Sequence, residues 1–226
     1  MIASVDIADV SERIACRAEE LDGQGQRLQL TLFRLLSEGQ PVESARLAER
    51  AGLPVADIVE ALGGWCGVHI DEDARVVAFK GLSLVEAPHR LSVDGRTLYA
   101  WCAWDTLFLP ELIGRPAEIE STCPATAETI TLQVGSRELA DLAPPETVLS
   151  FLLPGSLFGE DTLGSFCSFI HFFASPQAAE KWTAKRPHTF VVSIEDAFEI
   201  GRRTNAAQWG DALREPEPMP SRTTCR

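Results

Sequence analysis

Two stretches of this 226-residue chain hold side chains that could do chemistry together, "LYAWCAWDTLFLP" from Leu98 to Pro110 and "SFCSFIHFFAS" from Ser165 to Ser175. In the first, a thiol and a carboxylic acid, Cys102 and Asp105, stand three residues apart in an otherwise apolar run. Read as a helix from Leu98 to Phe108, halted by Pro110 and Gly114, the segment brings both to one face. A carboxylate among Trp101, Trp104, Leu107 and Phe108 is costly to desolvate unless it is partnered or used. The plainer alternative is a solvated Asp beside a core Cys. Read as a strand, the second stretch alternates, with Cys167, Phe169, His171 and Phe173 on one face. His171 could then serve Cys167 as a base, or be a hydrogen-bonded core histidine.

Other common sites are excluded by pattern. The sequence has no G-x-x-x-x-G-K-[ST], G-x-S-x-G or H-E-x-x-H, and Gly23-Gln24-Gly25 lacks the third glycine of a dinucleotide loop. Its four histidines are scattered, and its six cysteines form no C-x-x-C, so no local zinc pair arises. Free cysteines are among the most buried residue types, which is the ordinary expectation for any one of them. A site in this chain must be assembled from distant segments.

The elements that would position such a site follow from periodicity. Leucines at helical spacing in Arg27–Gly39, then Val42–Ala51 and Leu53–Gly64, predict three short helices, each stopped by glycine. "GVHIDEDARVVAFKG" predicts a hairpin turning at Asp71-Glu72-Asp73. Three helices and a hairpin make residues 1–80 a winged-helix-like N-terminal domain. Residues 81–97 read as a connector, residues 98–213 as a second domain that holds both stretches and residues 214–226 as a disordered tail that includes Cys225. Within 98–213, "AEIEST", "TITLQVG", "TVLSFLLPG", "GSFCSFIHFFA" and "TFVVSI" read as strands. "SPQAAEKWTAKR", capped by Ser175, and "EDAFEIGRRTNAAQWGDAL" read as helices. The expected fold class is α+β, the winged-helix-like module being followed by a mostly antiparallel sheet with flanking helices.

Charge narrows the partners. The chain carries 20 basic and 33 acidic side chains, a net charge of −13, and both residues 1–80 (8 basic, 14 acidic) and the remainder (12 and 19) are acidic. The third helix, which would read DNA, offers only Asp57 and Glu60 as charged groups, and the wing tip is acidic. No nucleic-acid partner is expected. The N-terminus lacks a basic start and a continuous apolar stretch, and no run approaches a membrane span, so the expected compartment is the cytoplasm and no membrane partner is expected.

Taken together, "GRTLYAWCAWDTLFLPELIGRPAEIESTCPAT" and "FCSFIHFFAS" resemble the bacterial organomercurial (alkylmercury) lyases, in order and spacing, from about His89 to Phe198. The resemblance implies that Cys102, Asp105 and Cys167 are catalytic and hold substrate and product mercury, and that Cys123 is structural. It implies cleavage of a carbon–mercury bond to a hydrocarbon and Hg(II), in mercury detoxification. It implies no separate cofactor, small thiols as co-reactants, and a mercuric reductase as product acceptor. Two positions depart from the family: Ser168 stands where many members carry a second cysteine, which bears on mercury handling, and Trp104 replaces a smaller apolar residue, which bears on pocket shape. The chemistry suits the residues, because soft Hg(II) prefers thiolates over nitrogen or oxygen ligands. A proton donor held near carbon is also required. The alternatives are a thiol-based metal-sensing regulator or metal-binding protein with a winged-helix module, and a cysteine hydrolase or thiol redox protein using Cys167 and His171.

Overall fold

The computed structural model describes residues 6–16, 20–152 and 166–214. Most of the expected tail, with Cys225, lies outside the described residues. Helix α1 (Ile7–Ala15), which the periodicity reading missed, starts at Asp6, whose carboxylate accepts the backbone N–H groups of Ala8 and Asp9 at 3.0 and 3.1 Å. The three expected helices are present as α2 (Gly23–Leu36), α3 (Ser44–Ala51) and α4 (Val55–Gly64). Asp22 caps α2 through the N–H of Gly25, and α3 ends where Gly52 turns left-handed, at φ 69°. From Leu28 to Leu36 almost every side chain of α2 is buried, polar Gln29 and Thr31 included, so this helix is a core element rather than an amphipathic surface one.

The expected hairpin forms from β1 (Val68–Ile70) and β2 (Val76–Phe79), with Asp71 and Asp73 both pairing with Arg75 at 2.8 Å. Residues 81–97 are not a connector. They carry β3 (Leu82–Ser83) and β4 (His89–Val93), and β4 lies inside the large sheet. The signal was there in the alternation of Leu91 and Val93 and in the Asp94-Gly95 turn. A strand holding His, Arg and Ser reads weakly from sequence alone.

The next segment corrects a second expectation. Leu98–Ala100 is not helical but ends strand β5 (Arg96–Ala100), and residues 101–104 form a turn before helix α5 (Asp105–Ile113). Strands β6 (Ala117–Thr122), β7 (Thr129–Val134) and β8 (Leu139–Ala143) complete an eight-stranded sheet of order β1-β2-β3-β5-β4-β6-β7-β8. Burial alternates residue by residue in β6 and β7, so one face packs on the core and the other meets water.

A second, three-stranded sheet places β9 (Val148–Leu152) between β10 (Phe172–Phe173) and β11 (Thr189–Ser193). All five residues of β9 are buried. Cys167 does not lie on a strand as expected: Cys167–Phe169 is a single 3-10 turn, and only Phe172–Phe173 of that segment pairs in the sheet. Helices α6 (Pro176–Thr183, capped by Ser175) and α7 (Ile194–Trp209, capped by Ser193) flank this sheet, with α7 packing on α1, α5 and β9. Every strand pair among the described residues is antiparallel. The fold is α+β, with a mostly antiparallel sheet and flanking helices.

Candidate active site

Cys102 and Asp105 meet through a turn, not a shared helix face. The backbone N–H of Cys102 donates to Asp105 Oδ2 at 2.8 Å, so the carboxylate at the start of α5 reaches back to cap its own approach. The Thr106 hydroxyl tightens the same turn by donating to the Ala103 carbonyl at 2.7 Å. The three-residue spacing noticed in the sequence is therefore real in effect but has a different geometric origin.

The second segment is tied to the first by backbone and by rings. The Ala103 N–H donates to the Ile170 carbonyl at 3.2 Å, which fixes the turn holding Cys102 against the stretch that follows Cys167. Trp104, next to Asp105, meets Phe166, next to Cys167, edge to face at 6.1 Å between centroids, and Phe151 likewise at 5.5 Å. Its indole N–H donates to the Ala197 carbonyl of α7 at 2.9 Å. One ligand atom each from Cys102, Asp105 and Cys167 consequently lies within 4.8 Å of the others. All three residues are buried, at 0%, 6% and 5% exposure.

Burial raises the proton affinity of two members of this group. Burial pushes the Cys102 thiol well above its ordinary value, helped by its hydrogen bond with Cys167 and by the neighbouring Asp105 charge. Burial also raises Asp105 to about 7, against the hydrogen bonds from Cys102. A raised thiol and a raised carboxyl beside a second sulfur make a poor site for a hard cation. A thiophilic cation would displace a thiol proton, with the Asp105 carboxylate beside it as the acceptor.

His171 is not part of this group. Its Nε2 donates to the Ser168 carbonyl at 2.9 Å and its ring packs edge-on against Trp182 at 5.2 Å, so it is a half-buried, hydrogen-bonded histidine and not a base for Cys167. Cys123, at the end of β6, is also elsewhere. Burial pushes its thiol up, but hydrogen bonds from the Thr126 hydroxyl and the backbone of Ala174, Ala125 and Thr126 outweigh this and hold it below the ordinary thiol value. Phe151, part of the ring set around Trp104, was not singled out in the sequence. Only its place in an unbroken apolar run could have marked it.

Comparison with known proteins decides what kind of molecule carries this group. The alkylmercury lyase family profile matches residues 82–205. The chain belongs to the alkylmercury lyase family. It is 41% identical over 175 residues to the alkylmercury lyase of Staphylococcus epidermidis, covering 77% of this chain and 80% of that one. The alkylmercury lyase of Pseudomonas putida is 40% identical over 172 residues, covering 76% and 80%. A solved structure, the mercury-bound form of MerB2, shares the fold with a TM-score of 0.68 at 24% identity, covering 90% of this chain and 98% of that one. The alkylmercury lyase match begins at β3, so it takes in both segments of the buried group.

Proposed function

We propose that this protein is an organomercurial lyase that cleaves the carbon–mercury bond of alkyl and aryl mercury by protonolysis, with Cys102, Cys167 and Asp105 as its catalytic residues. The observation that carries the assignment is the buried cluster of two thiols and one carboxyl within 4.8 Å. Membership in a family whose relatives are named alkylmercury lyases supports the activity.

The atoms balance as follows. One thiol exchanges with a substrate RHg–SR′, its proton leaving with R′SH. The second thiol gives its proton to the Asp105 carboxylate and its sulfur joins mercury. Two sulfur donors push electron density toward carbon, and Asp105 returns the proton there as the C–Hg electron pair becomes the new C–H bond. The hydrocarbon RH leaves, and Hg(II) remains between Cys102 and Cys167 with the Asp105 carboxylate beside it. Two further small thiols exchange it out as a dithiolate. Mercury itself supplies the Lewis acidity, so no resident cofactor enters this scheme. Delivery of the released ion to a mercuric reductase belongs to the same reading.

The helices α2–α4 with the β1–β2 hairpin read as a winged-helix-like module whose acidic surface suits packing over the catalytic part rather than DNA. Among the described residues no helix is long and apolar enough to cross a membrane. A cytoplasmic location fits this. Incubation with phenylmercuric acetate and excess small thiol tests the function. Benzene is expected above the thiol-only control, and its absence at neutral and mildly alkaline pH alike would end the lyase reading.

A further inference from the structure

We propose that Gly81 is a positioning residue for the proton-carrying acid, laying bare backbone against the Asp105 carboxyl so that it keeps its direction and stays shut off from water on that side. This rests on the reading of Asp105 as the proton carrier. Phe79 and Leu82 are paired across β2 and β3, so Lys80-Gly81 is a two-residue hairpin turn. Both residues have positive φ, 40° and 101°, as a turn of that hand requires. The Gly81 carbonyl accepts the N–H of Trp101 at 3.0 Å, one residue before Cys102. A Cβ placed on Gly81 would stand 2.7 Å from Asp105 Cγ, 2.8 Å from Oδ1 and 3.1 Å from Cβ. Asp105 has no easy retreat, because its other oxygen is held by the Cys102 N–H and its backbone opens α5.

The fold supplies its own control. The β4–β5 hairpin is the same kind of turn, Asp94-Gly95, with φ of 50° and 75° between paired Val93 and Arg96. A Cβ on Gly95 would meet nothing within 4 Å. An alanine at either glycine carries the cost of the left-handed backbone, but only at position 81 does it also collide with the acid. The comparison separates turn chemistry from a role at the site. It also ties the N-terminal hairpin to the site, through the turn that leaves β2.

The experiment compares Gly81→Ala, Gly95→Ala, Asp105→Ala and the double variant Gly81→Ala/Asp105→Ala in the full chain. Each is scored for melting temperature, for Hg(II) bound per folded chain, and for single-turnover release of benzene from phenylmercury-loaded protein. Both glycine variants should melt lower than the parent and still bind Hg(II). Gly81→Ala should release benzene roughly 10- to 100-fold more slowly, the scale of an ångström-sized misplacement, while Gly95→Ala keeps the parental rate. In the Asp105→Ala background, Gly81→Ala should add no further slowing and a smaller loss of melting temperature, because the collision partner is gone. Should Gly81→Ala fail to fold, the double variant is expected to fold, and its failure would count against the collision. Parental turnover by Gly81→Ala beside a slow Asp105→Ala overturns the proposal alone, as does an equal slowing in both backgrounds. Parental turnover by Asp105→Ala overturns the reading on which it rests.

Discussion

In the proposed scheme Asp105 needs contradictory properties: it must be basic enough to accept a thiol proton and acidic enough to return it to carbon. Its elevation to about 7 by burial puts both within reach near neutrality. Asp105→Ala leaves both sulfurs in place, so it should still capture RHg⁺ and Hg(II) while single-turnover protonolysis falls by about 10²–10⁴-fold, the usual contribution of a general acid–base group. Parental rates from preloaded variant would mean that the proton comes straight from a thiol or from water. Cys102→Ser and Cys167→Ser should behave differently, losing mercury capture and cleavage together, because a hydroxyl is a hard and poorly ionised donor. Equilibrium dialysis with Hg(II) beside the benzene assay separates the two classes. Cys123 belongs to neither class. Its carbonyl and N–H close the β6–β7 turn onto Ala127 and Glu128, both at 2.9 Å, and its thiol collects donors from three residues. Cys123→Ser should lower stability by about 1–3 kcal/mol through that buried network, with turnover per folded molecule little changed. A normal melt with abolished turnover would move it into the active site.

At the scale of elements, the site depends on two short irregular segments held by regular neighbours, and this is also where sequence reading was least accurate. Cys102, Asp105 and Cys167 were legible because their residue types and their resemblance to a family survive any error of local geometry. The helix expected from Leu98 and the strand expected at Cys167 were not what formed. Leu98 and Ala100 are both fully buried in β5, and a run this apolar satisfies either period. The turn at 101–104 is decided by long-range bonds from Trp101 to Gly81 and from Ala103 to Ile170, which no local pattern encodes. Gly81 shows the same limit, since "FKGL" reads as a turn but nothing local says that it lies on Asp105. Trp104 is the side chain that locks these segments, bonded to Ala197 and edge-on to Phe108, Phe151 and Phe166. Trp104→Leu should therefore cost about 2–5 kcal/mol of stability. It also vacates volume against Phe166, the neighbour of Cys167, so the ratio of kcat/KM for phenylmercury over methylmercury should rise. An unchanged ratio in a destabilised but folded variant would confine Trp104 to packing.

At the scale of the whole molecule, the stability of the empty protein should carry the mark of its site. Asp105 is raised from 3.8 to about 7 on folding, mainly by burial. The folded state therefore holds a proton that the unfolded chain gives up, and this contribution is full below about pH 4 and is lost as pH rises toward 7. His89 acts in the opposite sense. Its ring is buried with Nδ1 against the Ser121 hydroxyl at 2.7 Å, and burial, aided by nearby His171, lowers it from 6.5 to about 3. Its contribution is full above 6.5 and is lost as pH falls toward 3. Across the interval between, the two slopes oppose each other, and the parent should show a flatter profile than either group alone would give. Asp105→Asn removes one of them while keeping an oxygen for the Cys102 N–H. Without mercury, that variant should melt above the parent at pH 8, where the parent must keep a carboxylate dry, and the gap should close as pH falls toward 4. Melting curves of both proteins across this range check the sign. A variant less stable than the parent at pH 8 would mean that the ionised acid is well solvated or well paired, and that burial does not set its proton affinity. Added Hg(II) should reverse the order at pH 8, because only the parent can place a carboxylate beside the bound ion.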